Sequence, residues 1–268
     1  MKQWISVLLT SVMLLLVATT SVFAMAKSYV TPFNSYAPPV SNTGTNNLAS
    51  ANEYIIAESV LGVSVSYTPT LQFSYASWDF VKNDSRDAIY AQKIVKEELL
   101  KYSAANLAKI GLKKIYLVHH LRVDGTFRSG MPDGQFEDAL YFDIDSKYFT
   151  SENGEYMRRT LHHELRHLAD YNMHKTYRPQ DVNWLNCNPK TTVYGNGGAS
   201  MYADAAYAHA VHPKAGFVTG YATSGIDEDR AEVYAYYMTS LSNLNKTSQG
   251  DSYLNCKIAQ TELFLSSL

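Results

Sequence analysis

Residues 163 to 167 read His163-Glu164-Leu165-Arg166-His167, an HExxH pattern set among the apolar residues Leu161, Leu165 and Leu168. Side chains four apart stack on one face of an α-helix, so both imidazoles can present a ring nitrogen to one metal ion. Glu164, one position on, then reaches a water held by that metal. No other feature constrains the fold as tightly. The segment must be helical, one face of that helix must line a cleft, and a further ligand must arrive from elsewhere in the chain. With only 8 His in 268 residues, the pattern is a rare product of chance.

Composition agrees with a sizeable core around such a helix. The chain is 46% hydrophobic and 18% charged, which excludes a predominantly disordered polymer. A formal charge of -2 offers no basic field for a nucleic-acid backbone, so no nucleic-acid partner is expected. Met1-Lys2, the apolar run Val7 to Ala18 and the small-x-small sequence Val22-Phe23-Ala24 predict a signal peptide over 1–24, cut after Ala24 or Ala26. The run is shorter than the roughly 20 residues that span a bilayer. A secreted or extracytoplasmic protein with no stable membrane span after cleavage is therefore expected. In an exported chain the two cysteines, Cys187 and Cys256, are predicted to form a disulfide.

Residues 25–52 carry a stretch rich in Pro, Ser, Asn and Thr and read as an extended N-terminal arm, leaving 53–268 as one catalytic domain. Strands are expected in Tyr54 to Tyr67, Leu71 to Trp78, Lys113 to Val123 and Ala139 to Ile144, with a turn-rich segment joining the last two. One helix is predicted from about Ala88 until Gly111 stops it, and others over Glu155 to Met173, Ile226 to about Leu241 and Ser252 to Leu265. Between Lys175 and Phe217 the chain is loop-rich. The order predicts an α+β domain with a small mixed or antiparallel sheet. Ala139 to Ile144 is the expected edge strand, able to pair with an extended peptide.

Catalytic zinc takes three protein ligands and leaves a position for water. The metzincin extension is excluded, because Asp170 and Met173 stand where its Gly and His would be. Downstream, Asp227-Glu228-Asp229-Arg230-Ala231-Glu232 opens the third long helix. Glu228 and Glu232 share a helix face, so one can bind zinc while the other orients a ligand. Acids there also suit a helix N-terminus on their own account. His209 and His212 are rival third ligands. His162 and His174 point away from the metal face and are expected at the surface or in a second layer, Arg166 is expected to be exposed, and Trp184 and Tyr194 are expected to pack.

HExxH, Asp170 three residues later, and Tyr221 seven residues before the first Glu of Glu228-Asp229-Arg230-Ala231-Glu232 together resemble the gluzincin peptidases of the lethal-factor-like group and related zinc-binding metallopeptidases. The resemblance runs over roughly Thr160 to Met238. It implies a zincin-like domain, one Zn2+ held by His163, His167 and Glu228, and Glu164 as general base. It also implies that Tyr221 stabilises the tetrahedral oxyanion and that Asp170 and Glu232 act in support. Asp170, on the same helix face as both His, could fix an imidazole through its free nitrogen. Arg166 departs from the Gly that members often carry before the second His. The resulting expectation is a secreted zinc-dependent endopeptidase acting on a peptide or protein. Its rival is a secreted binding or surface module with a structural or inactive zinc site.

Overall fold

The computed structural model describes residues 61–69, 71–82, 85–145 and 154–268. The signal peptide expected over 1–24 and the arm over 25–52 lie outside them. The observed order is β1 (Ser64–Ser66), β2 (Ala76–Asp79), α1 (Arg86–Leu99), α2 (Ala104–Ile110), β3 (Lys114–Val123), β4 (Thr126–Phe127), β5 (Gly130–Asp133) and β6 (Ala139–Asp143). It continues with α3 (Glu155–His174), α4 (Val182–Asn186), α5 (Ala205–Ala208), α6 (Ile226–Thr247) and α7 (Ser252–Ser267). Two 3-10 turns, Gly198–Ala203 and Tyr221–Ser224, flank α5. None of the described helices is long and apolar enough to cross a membrane.

The sheet is mixed. β3 pairs in parallel with β1 and β6, its far end pairs antiparallel with β2 and β4, and β5 closes the row antiparallel to β6. Every residue of β6 is buried, as suits a strand with neighbours on both sides. Ala139–Ile144 is thus not the edge. The turn-rich segment before it folds back as β5, and that strand is the edge. Pro132, which cannot donate to a ladder, is tolerated there. Asp133 ends β5 by accepting from the amides of Gln135, Phe136 and Glu137, which turns the chain into β6.

The single helix expected up to Gly111 is two. α1 is capped by Ser85, whose Oγ accepts from Ala88 N at 3.1 Å, and it buries Ala88, Ala91, Ile94, Val95 and Leu99. The chain then leaves the helix at Leu100 and restarts at a capping box. Ser103 Oγ accepts from Asn106 N at 3.0 Å while the Asn106 side chain reaches back to Ser103 N. α2 ends as expected at Gly111, whose φ of 89° is left-handed.

One face of the sheet carries Tyr116, Val118, Leu121, Met131, Ala139 and Tyr141, covered by Phe73, Ala76 and Trp78. Ile115, Leu117, Leu140 and Phe142 alternate with them and point the other way, toward α3. α3 packs in turn along α6. A second core of Trp184, Phe217, Val218, Ile226, Val233, Leu244, Leu254 and Ile258 joins α4, α6 and α7. α6 runs past the expected end near Leu241, with non-helical φ and ψ of -147° and 44° at Ser240.

A disulfide joins Cys187, at the end of α4, to Cys256 in α7, with Cα atoms 5.4 Å apart. It closes a span of 69 residues that includes the start of α6. Reduction should lower stability by roughly 2–4 kcal/mol. Urea unfolding with and without reductant measures this directly, and coincident unfolding curves would contradict it.

Candidate metal centre

α3 and α6 bring together the side chains that the HExxH spacing demands. His163 Nε2 lies 3.0 Å from His167 Nε2 and 3.1 Å from Glu228 Oε2, and His167 Nε2 lies 3.3 Å from the same oxygen. All three residues are buried, and their ligand atoms lie within 4.8 Å of one another. Neither His209 nor His212 belongs to the group; His212 Nε2 instead pairs with Asp251 at 2.9 Å.

The chemistry of this set fits a metal ion. Glu232 Oε1 is 3.0 Å from His163 Nδ1, and its other oxygen accepts from Thr219 Oγ1 at 2.7 Å. A carboxylate only accepts, so the proton sits on Nδ1 and the Nε2 lone pair of His163 faces His167 and Glu228. Three lone-pair donors then converge on one point and need a cation between them. Tetrahedral zinc with bonds of about 2.0–2.1 Å separates neighbouring ligand atoms by about 3.3–3.4 Å, close to the spacings found. Without metal, protons take that place. Burial opposes protonation of His163, but hydrogen bonds to Glu228 and Glu232 outweigh it and lift its pKa well above the ordinary value. His167 is raised on the same balance, while both imidazoles hold Glu228 far below the usual carboxylate range despite its burial.

Glu164 stands beside this group. Burial pushes its pKa up, while His163 and His167 pull it down. β5 leaves room for it only because residue 130 is glycine: a Cβ there would lie 2.6 Å from Glu164 Cγ. Tyr221 Oη donates to Glu228 Oε1 at 3.4 Å, and burial raises its pKa well above normal. The chain before it is stitched to the Tyr221–Ser224 turn by Gly195 N to Thr223 O at 3.0 Å and Gly197 N to Ser224 O at 2.7 Å. Gly198 is thereby laid against Tyr221 Oη and Glu228, where a Cβ would collide with both. β5, α3, α6 and this loop line a cleft of about 990 Å³.

Asp170 does not take an imidazole. It accepts from Arg230 Nη2 at 2.9 Å and lies 3.2 Å from Arg166 Nη2, so it ties α3 to α6 one turn below the histidines. Arg166 is correspondingly buried, not exposed, and stacks 3.7 Å from the centroid of Phe264. Nothing in the local sequence around Arg166 signals the cover on this flank of α3. His162 occupies a second layer and is fully buried, bonded to Tyr102 at 2.7 Å and to Glu98 at 2.6 Å. His174 is exposed, and Trp184 is packed. Arg230, Thr219, Gly130 and Gly198 escaped the sequence reading; only the Gly197-Gly198 pair carried a local signal.

Replacing Asp170 by Ala would leave the buried Arg166 without its carboxylate and Arg230 with Asp181 alone, 3.4 Å away. The loss should be about 3–5 kcal/mol in urea unfolding. A loss below about 1 kcal/mol would show that Asp170 does not hold the two helices together.

Comparison with known proteins bears on the same region. No curated protein and no solved structure matches the chain. The profile of one family, described as "Putative zinc-binding metallo-peptidase", matches residues 105–256, more than half of the chain and a span that contains His163, His167 and Glu228. This chain belongs to that family of zinc-binding metallopeptidases.

Proposed function

We propose that the protein is a zinc-dependent endopeptidase of gluzincin type, related to the lethal-factor-like group, and that it is exported after loss of residues 1–24. One observation carries this reading: two imidazoles and a carboxylate converge beside a buried Glu164 at the free edge of the sheet. His163, His167 and Glu228 would hold one Zn2+, with Glu232 fixing the tautomer of His163. The ion would supply Lewis acidity, lowering the pKa of a water to about 7 and polarising the scissile carbonyl.

The remaining steps belong to the chain. β5 is the edge strand among the described residues; the Pro132 carbonyl there accepts from Tyr177 Oη at 3.3 Å and proline has no N–H, so an extended peptide would pair at Gly130 and so come alongside Glu164. Glu164 takes the proton from the attacking water and passes it to the departing amide nitrogen. Burial has raised its pKa toward the working range of such a base. Tyr221 Oη, now on Glu228 Oε1, donates instead to the developing oxyanion. A purely structural zinc site would need a fourth protein ligand, and the convergent group has three among the described residues.

His163→Ala and His167→Ala should lose zinc on dialysis against a chelator, since two ligands cannot hold the ion. Full metal content in either protein would remove the proposed ligand set. Glu164→Gln should retain zinc and fold yet lose at least about 100-fold in turnover on a peptide library. Tyr221→Phe should lower kcat with little change in zinc content or KM. If kcat were unchanged, the Tyr221 hydroxyl would have no part in the transition state.

A further inference from the structure

Three arginines line the cleft, and two are spoken for. Arg159 Nη1 lies 3.9 Å from Glu155 and 3.2 Å from Tyr236 Oη, and Arg178 Nε lies 3.2 Å from Asp227. Arg128 has no carboxylate partner among the described residues. Its Nη1 is buried and makes no hydrogen bond. Its guanidinium lies over the ring of Tyr202, 4.3 Å from the centroid, and Tyr202 lines the same cleft, so the contact restrains the planar fork. A buried N–H without an acceptor costs free energy, and a guanidinium satisfies its donors best with the two oxygens of a carboxylate.

The position of Arg128 gives the acceptor a source. It precedes Gly130 by two residues, at the end of β5 that abuts Glu164. Glu164, Glu228 and Glu232 lie in the same cleft beside the two imidazoles, and Arg128 is the arginine lining it that no carboxylate of the described residues neutralises. We propose that Arg128 is a specificity-determining residue that receives a carboxylate of the peptide substrate, from an acidic side chain or from the free C-terminus. The proposal rests on the peptidase reading above and names the substrate class that this reading leaves open. Arg128 also acts electrostatically on Glu164, favouring its ionised form. An effect exerted through Glu164 alone would fall on every substrate alike, whereas recognition falls only on those with the carboxylate.

The test compares paired N-acetylated peptides on the zinc-loaded protein. One arm exchanges Glu for Gln at each position around the cleaved bond, and the other exchanges a C-terminal acid for its amide. The same peptides are titrated into Glu164→Gln protein by calorimetry, which reads recognition without turnover. The native residue should favour the carboxylate member of one pair by about 10- to 100-fold in kcat/KM and in affinity, and the arm that responds identifies the source. Arg128→Gln should bring that ratio close to one, and Arg128→Lys should keep part of it by retaining charge without the fork. Zinc content and melting temperature, measured on each variant, show that it is folded.

A ratio near one for the native protein in both arms, or an unchanged ratio in Arg128→Gln, overturns the proposal and leaves the peptidase reading intact. So does a uniform loss in Arg128→Gln accompanied by a shifted acidic limb of the pH profile, which would place its action on Glu164. Absence of both cleavage and binding for every peptide overturns the peptidase reading and the proposal together.

Discussion

The crossing of α3 and α6 is the constraint on which the rest depends, and a buried ion group fixes it. Asp170, three residues beyond His167, meets Arg230, two residues beyond Glu228, with Arg166 alongside. Because both partners lie within a turn of the convergent residues, the contact that holds the helices together also sets the distance from Glu228 to the two imidazoles. Neighbouring side chains extend the same control. Asp229, next to Glu228, accepts from Lys257 Nζ at 2.6 Å, Tyr194 Oη at 2.6 Å and Trp184 Nε1 at 2.9 Å, all within the second core. Successive helix residues point about 100° apart, so Glu228, Asp229 and Arg230 face the convergent site, α7 and α3 in turn. An acidic helix start that would otherwise be solvated is thereby buried.

This arrangement explains which parts of the site could be read from the sequence. The separations between His163 and His167, and between Glu228 and Glu232, lie within single helices. Helical geometry alone then fixes which side chains share a face. What depended on how helices pack was not legible. Asp170 has the right spacing to support an imidazole, yet a guanidinium from another helix, Arg230, reaches it. Arg166 looked solvent-facing because nothing local announces the cover supplied by Phe264. The same division holds in the fold. Gly111 does end a helix, with the left-handed φ that favours glycine, whereas the restart at Ser103 depends on a capping box with Asn106 that competes with continued helix. The edge strand was misplaced because β5, with Pro132 inside it, looks like turn until β6 pairs with it.

The cleft combines a rigid floor with tight steric requirements. Glycines at 130 and 198 admit the carboxylate of Glu164 on one side and the Tyr221 hydroxyl with Glu228 on the other, so neither wall tolerates a Cβ. Behind the HExxH segment, Glu98 is held at a pKa of about 2 because hydrogen bonding and charge from His162 and Lys101 overcome its burial. The back of α3 is therefore clamped by ionised and hydrogen-bonded groups. Such surroundings preorganise the front face, so little rearrangement is required when a substrate arrives.

The central claim is that three side chains from two helices share one zinc ion with a position left for water. Anomalous diffraction at the zinc absorption edge, from crystals of the purified protein, tests it most directly. The account predicts one strong peak bounded by His163 Nε2, His167 Nε2 and Glu228 Oε2, with the fourth position taken by a non-protein ligand. A peak elsewhere, a fourth protein ligand, or no peak in zinc-saturated crystals would contradict it.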